Sequence, residues 1–392
     1  MDFSVASFNF YDVYVLRGEM KISDLTLFPP GILKHIQTHP SKDLVLDLSG
    51  VTFMDSSALR LLVNVKKRIE SSGRQLFLLA PSQPVSQLLT SIHLDKVLSM
   101  IDTYETLERK IANASFAATQ AYCVSENGQN RLVCRCPVCG TNSVTGYLIS
   151  PYSYDWRWID DDPFPTCYHK DTDTTFEYFA SLPVVCGECY FSATDPHLFH
   201  LVHDGQLGWH SALDEQSILV LSKGIKKRKK SVDTQAKVTV DYFRYPRFDH
   251  AAYHAYALAE DCAHSMALER KCSTPFTIGY LNYMAIMFAP NELKRQHIDN
   301  ARTWLTQAVG EKDQQLTHEE RAKAYFILMN TALNLDKPKE ASVAFQEFTR
   351  LVESLPECVG AQDGVSNPHF WYQQAQDIWQ KEIESRGSEL RG

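Results

Sequence analysis

Six of the ten cysteines lie between Cys134 and Cys189, and four of them form two Cys-x-x-Cys knuckles, Cys136-Pro137-Val138-Cys139-Gly140 and Cys186-Gly187-Glu188-Cys189-Tyr190. No export signal precedes them, so metal binding is favoured over cross-linking. Each knuckle directs two thiolates at one cation, with glycine supplying the tight turn. Two knuckles complete a tetrahedral four-cysteine site with no position left for water, the arrangement of structural zinc. The competing chemistry is a redox dithiol. Cys134 or Cys167 could replace a ligand, and His169 lies close to Cys167, so three cysteines and one histidine form a conceivable set. The simpler expectation for Cys134 and Cys167 is a free or buried thiol.

A second chemically suggestive stretch is Val51 to Leu62, where Asp55-Ser56-Ser57 joins a strand to a helix. Leu44, Val45, Leu46 and Leu48 read as a strand covered on both faces. Ala58, Leu61, Leu62, Val65 and Ile69 then recur at helical spacing. A serine here can cap the helix, and a phosphate placed here would meet the same free N–H groups and the positive end of the helix dipole.

The elements around this junction alternate: strand Val13–Leu16, helix Asp24–Thr38, strand Leu44–Leu48, helix Ser57–Glu70, strand Gln75–Ala80, helix Pro84–Ile92, strand Val97–Ile101, then helix from Tyr104. With Leu46-Asp47-Leu48, Phe53-Met54-Asp55-Ser56-Ser57-Ala58-Leu59 and His93-Leu94-Asp95-Lys96-Val97-Leu98 in place, this quarter of the chain resembles a STAS domain, the fold of bacterial anti-sigma factor antagonists. The resemblance implies that Ser56, directly after the aspartate, is phosphorylated by a partner serine kinase, and that an anti-sigma-like regulator is a second partner. One position departs from the family: Lys21, in Gly18-Glu19-Met20-Lys21, stands where an acidic residue is usual, which weighs against the family's kinase or nucleotide chemistry.

At 392 residues, 44% hydrophobic and 22% charged, the chain reads as an ordinary multidomain soluble protein. No apolar run approaches the ~18 residues of a membrane span, and the first ten residues lack signal-peptide character. A cytoplasmic protein without a membrane partner is therefore expected. The formal charge of −8 lowers the expectation of nucleic-acid binding. The basic run Lys223-Gly224-Ile225-Lys226-Lys227-Arg228-Lys229-Lys230 could contact phosphate or nucleic acid, but without interleaved aromatics it reads as a solvated linker. The segment Ser150 to Lys170, with Trp156, Trp158 and the acidic run Asp160, Asp161 and Asp162, could hold a ligand or divalent ion, against a default of solvated loop.

From about Asp249 the pattern is helical. Tyr256, Ala259, Ala263, Met266 and Ala267 make one apolar face, and Ile298, Ala301, Trp304, Leu305 and Ala308 another. Tyr325, Leu328, Met329, Ala332, Ala341, Phe345 and Phe348 fall at positions similar to those of one tetratricopeptide (TPR) unit, with a corner at Asp336-Lys337-Pro338. A last helix, Pro368 to Ser385, offers Phe370, Trp371, Tyr372 and Trp379 for packing. Paired knuckles followed by such helices resemble an uncharacterised bacterial family joining a zinc ribbon to TPR-like repeats, which implies an architecture but no reaction.

The expected architecture is therefore multidomain α/β plus α: a STAS-like α/β domain (1–115), a four-cysteine zinc-ribbon domain with an insertion (116–222), a basic linker (223–247) and a TPR-like helical domain (248–392). The favoured function is a signalling adaptor regulated at Ser56, whose helical half holds a protein. A nucleic-acid-binding regulator and a metal-dependent enzyme are the alternatives. For the enzyme, His250 and His254, one helical turn apart, could share a metal but lack an acid and a third ligand, so no catalysis is expected.

Overall fold

The computed structural model describes all residues except 1, 9–10, 22–41, 72–73, 105, 108, 112–118, 127–128, 150–153, 159–163, 171, 234–239, 269–273, 311–315, 356–367 and 387–392. The chain separates into two compact units. One comprises residues 1–114, 317–322 and 348–372; the other comprises 115–316, 323–347 and 373–392.

The first unit is built on a five-stranded sheet of β1 (Asp2–Ser7), β2 (Tyr11–Met20), β3 (Asp43–Met54), β4 (Leu76–Leu79) and β5 (Ser99–Ile101), in that spatial order. β1 pairs antiparallel with β2, and the remaining pairings are parallel. The apolar run in β3 has its predicted cause, because both faces of the sheet are covered. Leu44, Leu46 and Leu48 belong to a core shared with α1 (Ser56–Glu70) and α2 (Gln83–Ser91), through Ala58, Leu62, Val65, Ile69, Val85 and Leu89. Val45, Phe77 and Ile101 join the opposite core with Tyr104, Leu107, Ile111 and Leu355. Helical backbone at 104, 106–107 and 109–111 matches the expected helix from Tyr104, whereas the helix expected over Asp24–Thr38 lies outside the described residues.

Two features differ from the sequence reading. β1 was not anticipated: Phe3 and Val5 alternate too briefly to stand out as a strand. β3 runs on through Gly50 to Met54, where its register with β2 slips on either side of Gly18. Gly18 lies at φ 92°. A Cβ on Gly50 would sit 2.8 Å from Arg17 Cγ, so the close approach of these strands requires glycine.

The second unit begins with the hairpin β6 (Cys123–Glu126) and β7 (Gln129–Leu132). Three small antiparallel sheets follow. The first combines β8 (Cys134–Arg135) with β15 (His200–His203) and β16 (Gln206–Trp209). The second combines β9 (Val144–Thr145) with β13 (Val184–Cys186) and β14 (Ser192–Ala193). The third is formed by β10 (Tyr154–Arg157), β11 (Thr166–His169) and β12 (Thr175–Phe176), between β9 and the short helix α3 (Tyr178–Ser181). Then come α4 (Glu215–Lys223), α5 (Ile225–Asp233), α6 (Asp249–Leu268), α7 (Pro275–Phe288) and α8 (Asn291–Gly310), while the residues of α9 (His318–Asn334), α10 (Pro338–Glu353) and α11 (Pro368–Arg386) are divided between the two units at the bounds given above.

The basic run, expected as a solvated linker, is corrected here. Lys223 ends α4, and from Ile225 on the run forms α5, with Arg228 and Val232 buried and the lysines outward. Nor does a linker divide the cysteine-rich region from the helices. Leu132, Cys134, Cys136, Cys186, Cys189, Phe191 and Phe199 share one core with Leu221 of α4 and with Cys262 and Met266 of α6. Strands of two to four residues cannot bury an adequate core among themselves, and α6 supplies the missing apolar surface. Ser192 Oγ donates to the Ala255 carbonyl at 2.9 Å, and Tyr256 Oη to the Phe179 carbonyl at 2.7 Å. Arg247, 3% exposed, donates to the carbonyls of Phe243, Ala180 and Pro183, fixing the approach to α6.

Farther along, Gly279 of α7 lets α8 come close: a Cβ there would lie 2.7 Å from Leu305 Cγ. The corner expected at Asp336-Lys337-Pro338 is present, with Asp336 at φ 56° and the Lys337 N–H donating to the Ala332 carbonyl at 2.9 Å. Leu328, Met329, Ala332, Ala341 and Phe348 are buried as the spacing predicts. Trp379 of α11 stacks on Phe345 of α10, with ring centroids 5.4 Å apart. Among the described residues no helix is long and apolar enough to cross a membrane.

Candidate metal centre and serine site

The two knuckles are brought together by the β9–β13–β14 sheet, because Cys186 pairs with Val144 just beyond the first knuckle and the Gly187 N–H donates to the Ser143 carbonyl at 2.8 Å. Each knuckle closes in the same way. The Gly140 N–H donates to the Cys136 carbonyl at 2.9 Å, and the Tyr190 N–H to the Cys186 carbonyl at 3.0 Å. Both donors have left-handed backbone, Gly140 at φ 76° and Tyr190 at φ 56°. The glycine expected to make the second turn, Gly187, is therefore not the residue that bears the unusual conformation. Tyr190 bears it, held by burial against Phe243, Val232 and Leu258.

The four sulfurs of Cys136, Cys139, Cys186 and Cys189 all lie within 4.8 Å of one another. Two pairs, Cys136 with Cys189 and Cys139 with Cys186, are 3.6 Å apart. A tetrahedral site with Zn–S bonds of about 2.3 Å has sulfur separations near ~3.8 Å, which the two close pairs match and which places the quartet within reach of one such cation. Soft thiolates alone select zinc or another thiophilic metal over hard cations. Three of the four are buried and Cys139 is exposed.

The protonation pattern shows how poorly four clustered thiols satisfy themselves. Hydrogen bonds with Cys136 and then Cys186 pull the Cys189 thiol down to about 4, while hydrogen bonds with Cys186 and Cys189 drive Cys136 far above the usual thiol range. A dication at the centre of the quartet would let all four thiols ionise.

The other candidate ligands stand apart. Cys134 pairs with Leu201 across β8 and β15 and is pushed up to about 12 by burial. Cys167 sits with Tyr154 and Phe176, likewise pushed up to about 12 by burial, and His169 packs on Tyr154 with ring centroids 4.7 Å apart. The set of three cysteines and one histidine is not assembled. His254 Nδ1 bonds the Tyr242 hydroxyl at 2.7 Å, and the His250 ring lies 5.4 Å from that of Tyr242. Among the described residues, no other group of three or more His, Cys, Asp or Glu side chains converges as a metal site. Trp156 and Trp158 pack on Tyr178 and Phe326, and the acidic run Asp160–Asp162 lies outside the described residues.

In the first unit, Ser56 is the first residue of α1, at the carboxyl end of β3, and is exposed. The cap is the preceding residue. Asp55 has extended backbone, and its Oδ1 accepts from the N–H groups of Ser57 and Ala58, both at 2.9 Å. Its own N–H donates to the Met20 carbonyl at 3.1 Å, which ties the junction to the end of β2. Two of the donors that a phosphate on Ser56 was expected to meet are thus taken by Asp55. Lys21, next after Met20, pairs with Glu19 and lies 5.8 Å over the ring of Phe53. Asp55→Ala is accordingly expected to cost about 1 kcal/mol, measured by denaturant unfolding of the first unit, while Ser56→Ala leaves stability nearly unchanged.

Comparison with known proteins places a family likeness on this unit. Residues 13–109 match the STAS domain. A Thermotoga maritima protein named as an anti-sigma factor antagonist is 31% identical over 94 residues, covering 24% of this chain and 83% of that protein. A homologue from Thermotoga neapolitana is 30% identical over 100 residues, covering 25% and 88%. Among solved structures, an anti-sigma factor antagonist from Thermotoga maritima shares 27% identity over 27% of this chain and 93% of its own, with a TM-score of 0.25. Unphosphorylated SpoIIAA, another anti-sigma factor antagonist, shares 20% over 29% and 98%, with a TM-score of 0.24.

Proposed function

The chain belongs, through residues 13–109, to the STAS domain family of anti-sigma factor antagonists, and from that premise we propose that it is a cytoplasmic signalling adaptor switched by phosphorylation of Ser56. The observation that carries this reading is the placement of Ser56. It is an exposed hydroxyl at the first residue of α1, held in position by a capped junction in which it plays no capping part itself. A serine free of structural duty can gain and lose a phosphate without unfolding its domain. The partners implied are a serine kinase and an anti-sigma-like regulator that docks on the exposed end of α1. The second unit serves as the scaffold: structural zinc on Cys136, Cys139, Cys186 and Cys189 would fix the knuckles, and the TPR-like helices would hold another protein. No catalytic constellation is assigned. The test is affinity capture from the native host with Ser56→Ala and Ser56→Asp forms side by side; equal recovery of every protein by both forms would remove the switch from the reading.

One observation favours a second reading. The lysines of α5 (226, 227, 229 and 230) are exposed along a single helix, as a phosphate-binding face would require. Against it, Lys227 pairs with Asp261 of α6, and the chain is acidic overall. Changing these four lysines to glutamine is expected to leave partner capture intact. Salt-sensitive DNA or RNA binding that disappears in this variant would establish the nucleic-acid reading in its place.

A further inference from the structure

Within the basic run one side chain points inward. Arg228 is 1% exposed, whereas Lys223, Lys226, Lys227, Lys229 and Lys230 are all exposed. Its Nε donates to the carbonyl of Cys189 at 3.1 Å and its Nη2 to the carbonyl of Leu221 at 2.8 Å, while Nη1 is buried with no hydrogen-bond partner. Gly224 leaves room for it, since a Cβ there would lie 2.6 Å from Nη1. Both acceptors are neutral, and no described carboxylate pairs with this guanidinium.

Such a group is costly to bury unless a negative charge lies close by, because arginine does not shed its proton. The residue it grips is one of the four clustered cysteines. Four thiolates around a dication carry a net charge of two minus, inside the core that α4 and α6 close over. The unmatched positive charge and the excess negative charge are therefore neighbours, joined through the Cys189 backbone.

We propose that Arg228 is the buried counter-cation of the four-thiolate metal centre, so that metal occupancy holds helix α5 and its exposed lysines in place. The inference rests on the metal reading given above and extends it to a consequence for the surface. When the metal leaves, the second knuckle loosens and Arg228 loses both its carbonyl acceptor at Cys189 and its counter-charge. Among what still holds α5 are the packing of Val232 with Tyr190, Phe243 and Leu258, that of Ile225 against the core of Leu221 and Cys262, and the surface ion pair of Lys227 with Asp261. Exposed pairs of that kind contribute little. By linkage, whatever metal contributes to docking of α5, docking of α5 contributes to metal affinity.

The experiment uses the full chain and two measurements. In competition with a chromophoric zinc chelator, Arg228→Met is expected to bind zinc about 10- to 100-fold more weakly than wild type, the range found when groups supporting metal ligands are removed. Arg228→Lys, which keeps the charge, should recover most of that loss. In hydrogen exchange, stripping zinc from wild type should remove protection across 225–233. Equal zinc affinity in wild type and Arg228→Met, or unchanged exchange of 225–233 on metal removal, would overturn the proposal. If Arg228→Met does not fold, Arg228→Lys decides: zinc affinity near that of wild type supports the charge role, and loss of zinc binding with the charge kept overturns it. A wild type that takes up no zinc overturns the metal reading itself, whereas zinc binding indifferent to Arg228 overturns only this inference.

Discussion

Cys139→Ser is expected to abolish metal binding and to unfold the cysteine-centred core while leaving the STAS unit folded. Wild type should carry about one zinc per chain by elemental analysis. In small metal domains the binding free energy is folding free energy, on the order of 10 kcal/mol or more for structural zinc, so losing one of four ligands is a large perturbation even though Cys139 is itself exposed. The damage should reach beyond the knuckles, because Cys136, Cys186 and Cys189 lie in the same core as Phe191, Phe199, Leu221, Cys262 and Met266. The two cores of the STAS sheet contain no cysteine and should keep their own transition. Two unfolding steps in wild type, with only the second unit's step shifted in the variant or after chelation, is the expected calorimetric result. Wild type that is metal-free and fully folded would end the idea.

Much of this core could be read from sequence, and the parts that could not have physical causes. The quartet was legible because Cys-x-x-Cys brings two sulfurs together by local geometry alone, whatever surrounds it. The strand Leu44–Leu48 and the helix from Ser57 were legible because burial on two faces and on one stripe leave different periods. The left-handed Tyr190 was not, since nothing in Cys-Gly-Glu-Cys-Tyr signals that the aromatic, with a burial site waiting for it, takes the conformation that glycine takes in the first knuckle. Arg228 was hidden by composition: among five lysines it reads as one more surface charge. Yet Leu221, Ile225, Arg228 and Val232 are spaced by four, three and four, an apolar stripe with a cation in it, and that spacing was the available signal. A serine was read as able to cap where Asp55 does so, because Asp55, Ser56 and Ser57 are all good caps and only the extended backbone at Asp55 separates them.

That one-residue difference sharpens what Ser56 should do. With Asp55 already accepting from the N–H groups of Ser57 and Ala58, a phosphate on Ser56 projects from the exposed start of α1 rather than replacing the cap. It adds roughly −1.5 to −2 charges beside an existing carboxylate, at a helix end where the dipole tolerates an anion. The folded state should therefore barely respond, and Ser56→Asp and Ser56→Ala should both melt near wild type. Binding should respond strongly. A partner that packs over this helix end must strip water from the new charge and approach Asp55 at the same time, and every 1.4 kcal/mol of that penalty is about tenfold in affinity. Ser56→Asp should thus weaken one partner at least about tenfold, while Ser56→Ala captures it constitutively. If the Asp and Ala forms bind every partner alike, and native protein carries no phosphate on Ser56, the capped serine is only the first residue of a helix and the STAS unit is an unregulated scaffold.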